Sequence, residues 1–172
     1  MLLELPMIFE LTEAEQFVAK YVGKLRYANA RKKGTLDQKK GGQSCEATDR
    51  EGFAGELLFA RIFNLYPDLS GVVGDADGVT RRGRTYDVKV TKYENGLLLA
   101  GLHKKNKPCD FYVLFTGEFP RYRLAGFGDK ESLLVEEQIK NLKDKNGKKM
   151  GDCYAMSQDD PEFKKFSLKG RI

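Results

Sequence analysis

Thr85-Tyr86-Asp87-Val88-Lys89-Val90-Thr91 alternates with a period of two. Successive side chains of a β-strand point to opposite faces. Tyr86, Val88 and Val90 therefore share an apolar back, and Asp87, Lys89 and Thr91 share the polar face. Two residues along a strand span about 6.6 Å, so a carboxylate and an ammonium stand side by side on one rigid element. An acid and a lysine so placed can hold a metal ion and a nucleophilic water next to each other. The tripeptide acid-x-Lys is weak alone: it also occurs at Asp37-Gln38-Lys39 and Glu162-Phe163-Lys164. Only the copy at 87–89 lies in an alternating strand.

Working outward, Arg81-Arg82-Gly83-Arg84 reads as the turn of a hairpin ending in this strand. Asp77 starts the preceding strand and can approach Asp87 across the pair. Further upstream, Thr48 and Glu51 suggest a capping box opening a helix over about 49–64. Phe53, Leu57, Leu58, Ile62 and Phe63 supply its apolar face. Glu56 lies beside that face, and a carboxylate facing partly inward needs a partner. A metal ion would satisfy it. Gly52 and Gly55 cost helix stability and make sense if this helix closely approaches other backbone.

Three acids and a lysine suit magnesium, which takes oxygen ligands and is usually held by one or two carboxylates, water and phosphate oxygens. Glu56, Asp77, Asp87 and the Val88 carbonyl are the expected ligands, and Lys89 the residue assisting the attacking water. Manganese is expected to substitute.

The rest of the chain frames this site. Thr12 and Glu15 form a capping box for a helix over 12–27, with Ala14, Phe17, Val18, Tyr21, Val22 and Leu25 at helical spacing. Residues 28–47 read as a long basic loop. Val72-Val73, Val79, 97–102, 110–116 and 122–127 read as further strands. Leu133, Leu134, Ile139 and Leu142 suggest a helix over about 129–143, followed by a basic glycine-containing stretch to Gly151 and a short strand near Tyr154. This order, helices and then adjacent strands, is that of an α+β domain rather than a regular βαβ alternation. The chain reads as one domain over 1–172: an N-terminal helix and basic loop (1–47), a core carrying the site (48–128), and a C-terminal helix and strand (129–172).

Composition excludes several alternatives. Of 172 residues, 41% are hydrophobic, which is not a disordered composition. No apolar run approaches the roughly 20 residues of a membrane helix, and Met1-Leu2-Leu3-Glu4 lacks the basic start of a signal peptide. A soluble, cytoplasmic protein with no membrane partner is expected. Cys45, Cys109 and Cys153 are odd in number and widely spaced, and His103 is the single histidine. Zinc, a disulfide framework and histidine-based nucleases are disfavoured on that count. The net charge of +5 permits a polyanionic partner.

Glu56 in Gly52-Phe-Ala-Gly-Glu-Leu-Leu-Phe-Ala-Arg61, Asp77 in Asp75-Ala-Asp-Gly-Val79, and Asp87-Val88-Lys89, in that order around a hairpin, resemble the restriction-endonuclease-like nucleases, the PD-(D/E)xK superfamily. The likeness covers roughly 48–128. It implies a mixed β-sheet core flanked by helices in α/β/α layers, and phosphodiester hydrolysis with one or two metal ions. The family often has proline before its first strand acid; here the pair is Ala76-Asp77, so Asp75 competes with Asp77 for that role.

The expected function is magnesium-dependent endonucleolytic cleavage of DNA by in-line attack of water. The alternative is a nucleic-acid-binding protein of the same fold that does not cleave; a domain with no nucleic-acid partner is a third reading. Arg81, Arg82, Arg84, Lys92, Lys104 and Lys105 are the candidate DNA contacts, against a plain reading as solvated surface. A homodimer would suit cutting of both strands.

Overall fold

The computed structural model describes residues 7–34, 45–72, 74–143 and 146–166, without the side chains of Cys45 and Met150. The chain runs β1 (Ile8–Glu10), α1 (Glu13–Lys32), α2 (Cys45–Phe63), β2 (Gly78–Val79), β3 (Thr85–Thr91), β4 (Leu98–Gly101), β5 (Phe111–Glu118), β6 (Arg121–Asp129), a one-turn α3 (Lys130–Leu133), β7 (Ile139–Lys143) and β8 (Lys149–Met156). It is a mixed α+β architecture.

The main sheet has the order β1-β6-β5-β3-β2. Its single parallel pair is β3 with β5, in the register Asp87↔Tyr112 and Lys89↔Leu114. A parallel neighbour needs a crossover rather than a hairpin, and β4 with the 3-10 turn Leu102–Asn106 provides it. Strand β5 is buried on both faces: Phe111, Val113 and Phe115 pack towards α1 and α2 with Tyr86, Val88, Phe53 and Phe59. Tyr112 and Leu114 pack into a second core with Leu98, Ala100, Tyr154 and Met156. That explains the unbroken apolar run of β5, as in strands covered on both sides.

The second core lies under a three-stranded sheet of order β4-β8-β7. The α/β/α layering is thereby corrected: helices cover one face of the main sheet, and a small antiparallel sheet with α3 covers the other. The helix expected over 129–143 shrinks to α3. Val135 turns extended (φ −114, ψ 157) after Leu134, and residues 139–143 pair with β8 from Ile139↔Tyr154 to Lys143↔Lys149. Leu133 and Leu134 still enter the core, whereas Ile139 is exposed.

The first two helices are longer than expected. The Thr12–Glu15 capping box is present in full, and α1 continues to Lys32. Helix α2 begins at Cys45, so Thr48 lies inside it rather than capping it, and Glu51 instead accepts a 2.5 Å hydrogen bond from the Tyr122 hydroxyl. A Cβ on Gly55 would sit 2.5 Å from a Val90 methyl, which makes this the point where α2 rests on β3; at Gly52 a Cβ would meet nothing. The expected apolar face of α1 is rotated. The buried positions are Ala19, Val22, Gly23 and Arg26, while Phe17 and Tyr21 stand in solvent. Of the basic loop at 28–47, residues 35–44 lie outside the described residues, as do Asp37 and Lys39. So do Val73 of the expected strand and residues 144–145 of the basic stretch. Val72 is not in a strand. Among the described residues, no helix is long and apolar enough to cross a membrane.

Candidate active site

The candidate site lies at the end of β2, on the edge of the main sheet. Strand β2 is two residues long and covers only the start of β3, through Gly78↔Tyr86 and Val79↔Thr85. The Thr80–Arg84 turn closes this hairpin, as expected from Arg81-Arg82-Gly83-Arg84. Beyond it, among the described residues, no strand pairs with the outer edge of β3 from Val88. Asp77 bridges the gap: its N–H donates to the Tyr86 carbonyl at 2.8 Å, and its carboxylate accepts the Val88 N–H at 2.6 Å. One side chain thus does the work of an absent strand residue. In an extended strand the carbonyl of a residue faces the same edge as its N–H, so the Val88 carbonyl opens towards Asp77.

On the polar face of β3, Asp87 is buried, with 2% of its surface exposed. Lys89, two residues on, bonds one carboxylate oxygen. Lys104, from the 3-10 turn, bonds the other at 2.5 Å. Lys104 therefore reaches the site itself rather than its rim. Burial pushes the Asp87 carboxyl up, but the two ammonium groups outweigh it and hold the acid below its ordinary range. Burial works against the Lys89 ammonium too, and Asp87 and Asp77 more than compensate, raising its proton affinity.

Glu56 reaches the same region from α2 and is buried. Its partner is Arg26 of α1, which donates two parallel hydrogen bonds at 2.6 and 2.7 Å. The Arg26 guanidinium also lies over the Phe53 ring at 4.9 Å. Burial raises the Glu56 carboxyl, against the pull of Arg26 and with a further push from Asp87. Asp77 is shifted upward as well. Burial first, then the charges of Glu56 and Asp87, lift it well above the ordinary carboxylate range. Asp87 thus acts on Glu56, and both act on Asp77, while Asp87 itself is held down by its two lysines.

Asp75, the competitor of Asp77, is exposed and bonded to Lys107 at 2.6 Å. It lies outside this group. Among the basic candidates, Arg81, Arg82, Lys92 and Lys105 are exposed. Arg84 is paired with Asp129 at 2.7 Å and lies over Phe111 at 4.8 Å, which ties it to the scaffold.

All four expected metal donors carry oxygen, as a hard divalent cation requires, and a cation would relieve the repulsion at Asp77. Among the described residues, however, no three His, Cys, Asp or Glu side chains converge as a ligand cage. Glu56 is turned to Arg26, and Asp87 to Lys89 and Lys104. The donor chemistry fits magnesium; Glu56 and Asp87 as they stand are neutralised by the chain's own cations. Sequence reasoning missed Arg26 altogether. Its signal was present in the helical spacing with Ala19, Val22 and Gly23, but a lone arginine within a basic stretch reads as solvated surface.

Comparison with family models, with curated proteins and with solved structures finds no match.

Proposed function

We propose that the protein is a magnesium-dependent nuclease of the restriction-endonuclease-like fold, cutting DNA at the edge of β3. The observation that carries this reading is that Asp77 holds the Val88 N–H and Lys89 holds Asp87 on one short stretch of β3, with the charge of Glu56 felt at Asp77 and that of Asp87 felt at Glu56. Carboxylates with shifted proton affinities beside a lysine are a common feature of catalytic and metal-binding sites. Asp77, Asp87, Glu56 and the Val88 carbonyl would hold the ion, with manganese able to replace it. When bound, the ion supplies Lewis acidity, acidifying water and offsetting charge on the scissile phosphate.

The chain's own residues do the rest. The Lys89 ammonium would orient the attacking water and neutralise charge growing on a phosphate oxygen. Water adds to phosphorus and gives up a proton to solvent, the P–O bond to the leaving oxygen breaks, and that oxygen takes a proton from solvent. The exposed Arg81 and Arg82 of the hairpin turn, with Lys92 and Lys105, would contact the DNA backbone, positioning it without reading sequence. A homodimer would bring two such sites to the two strands. Acting on DNA, the protein would work in the cytoplasm.

A second reading is a nucleic-acid-binding protein of this fold that does not cleave. It is favoured by Arg26 holding both oxygens of Glu56, and by Lys104 holding Asp87. Incubation with plasmid, single-stranded and branched DNA, in magnesium and in chelator, separates the two. The nuclease reading expects cleavage of at least one substrate in magnesium and none in chelator. Retained binding with no cleavage in magnesium or manganese would support the second reading and overturn the first.

A further inference from the structure

The rings that α1 was expected to bury are in water instead. Phe17 is 71% exposed and Tyr21 62%, although both belong to a described helix with a complete cap. With Lys20 and Lys24 they occupy positions i, i+3, i+4 and i+7, one face of the helix. This face, together with Glu46, Ala47 and Arg50 from the first turns of α2, lines a cleft of about 480 Å³. The two helices meet closely beside it: a Cβ on Gly23 would lie 2.8 Å from the Arg50 backbone. The cleft is therefore built on a rigid crossing.

Its chemistry is aromatic and cationic. Lys20 and Arg50 both stand over the ring of Phe119, at 5.5 and 4.9 Å, which gathers two positive charges about one ring. Lys24 adds a third on the rim. Against these stand Glu46 and Glu51, the latter paired with Arg50 at 3.1 Å. Phe17 and Tyr21, four residues apart, are separated by about 6 Å along the helix axis. Stacked bases of one strand rise by about 3.4 Å, so a flat base inserted between two rings needs nearly this separation. Duplex bases offer no face to such rings, because their faces are already stacked. An acidic peptide would use the lysines but leave both rings without a partner.

We propose that this α1–α2 cleft binds single-stranded nucleic acid, with Phe17 and Tyr21 stacking on bases and Lys20, Lys24 and Arg50 contacting the backbone. Alternating rings and cations along a groove are the general means by which proteins hold a single strand without reading its sequence. The platform lies on residues distinct from Glu56, Asp77, Asp87 and Lys89 and does not require cleavage.

The test is fluorescence anisotropy with a labelled 12-nucleotide oligo-dT, in chelator so that hydrolysis plays no part. The variants are Phe17→Ala, Tyr21→Ala, Tyr21→Phe and Lys20→Ala/Lys24→Ala. Each ring-to-alanine change should weaken binding about tenfold, and Tyr21→Phe should restore it. The lysine pair should weaken binding and flatten its salt dependence. Because both rings are exposed, melting temperatures should stay at the wild-type value, which separates lost binding from lost fold. Unchanged oligonucleotide affinity in both ring variants would overturn the proposal. So would equal affinity for a duplex of the same length, or for poly-glutamate. Dimerisation by light scattering that is lost on Phe17→Ala or Tyr21→Ala would assign the rings to a second copy of the chain and also overturn it.

Discussion

Arg26 and Glu56 form a buried ion pair with both carboxylate oxygens bonded. Desolvating two charges is expensive, and removing one partner leaves the other uncompensated, at about 3–5 kcal/mol. Arg26→Ala should therefore destabilise the protein by about that much in urea unfolding. Glu56→Gln/Arg26→Met, which removes both charges, should recover a large part of the loss. Asp77 behaves in the opposite sense. Its folded-state proton affinity is raised, by burial first and by Glu56 and Asp87 next. A group of this kind contributes stability that is fully present below its unfolded pKa of about 3.9. That contribution is lost as the pH rises through the higher folded value. Ionising Asp77 beside Glu56 and Asp87 therefore costs stability. Asp77→Asn keeps an acceptor for the Val88 N–H while removing the charge. It should raise the melting temperature in chelator at pH 7 by a few degrees, since about 1 kcal/mol moves it by roughly 2–4 °C at this size. The gain should vanish near pH 3.5. A gain that is the same at both pH values would contradict the assigned charge repulsion.

At the scale of elements, the site depends on α2 resting directly on β3. Gly55 makes that possible, because any side chain there meets Val90 and Val88. Gly55→Ala should cost about 1–3 kcal/mol as overpacking, measured by urea unfolding. If the site assignment holds, it should also depress cleavage at temperatures where the variant is fully folded, since it displaces Glu56. What could be seen in the sequence follows the same lines. Period-two alternation at 85–91, the hairpin turn at 81–84 and the Thr12 cap are local signals, and each is present in the structure. The segment 139–143 was not legible. Its strand character comes from the free edge of β8, a partner that follows it in the chain, and Ile139 and Leu142 look helical until that edge is known. The face of α1 was misjudged for a related reason. Phe17 and Tyr21 are more apolar than Gly23 and Arg26, yet the latter two face α2, where close approach and a buried carboxylate await them.

For the whole molecule, the mixed sheet separates two cores, and Asp77 and Asp87 lie where β2 stops. The Glu56–Arg26 pairing joins residues 30 apart, and the Asp87–Lys104 contact spans 17. Neither has a local pattern: the sequence points to the acids and to Lys89, while Lys104 reads as a DNA contact and Arg26 as solvated surface. Those cations sharpen the central claim, because an ion at this site must compete with Lys104 and Arg26. The most direct measurement is the initial rate of supercoiled plasmid nicking in magnesium by wild type, Asp87→Ala and Lys89→Ala, with each variant shown to be folded by its melting curve. The account predicts loss of about 10²–10⁴-fold in both variants. Nicking at the wild-type rate by both variants would contradict it.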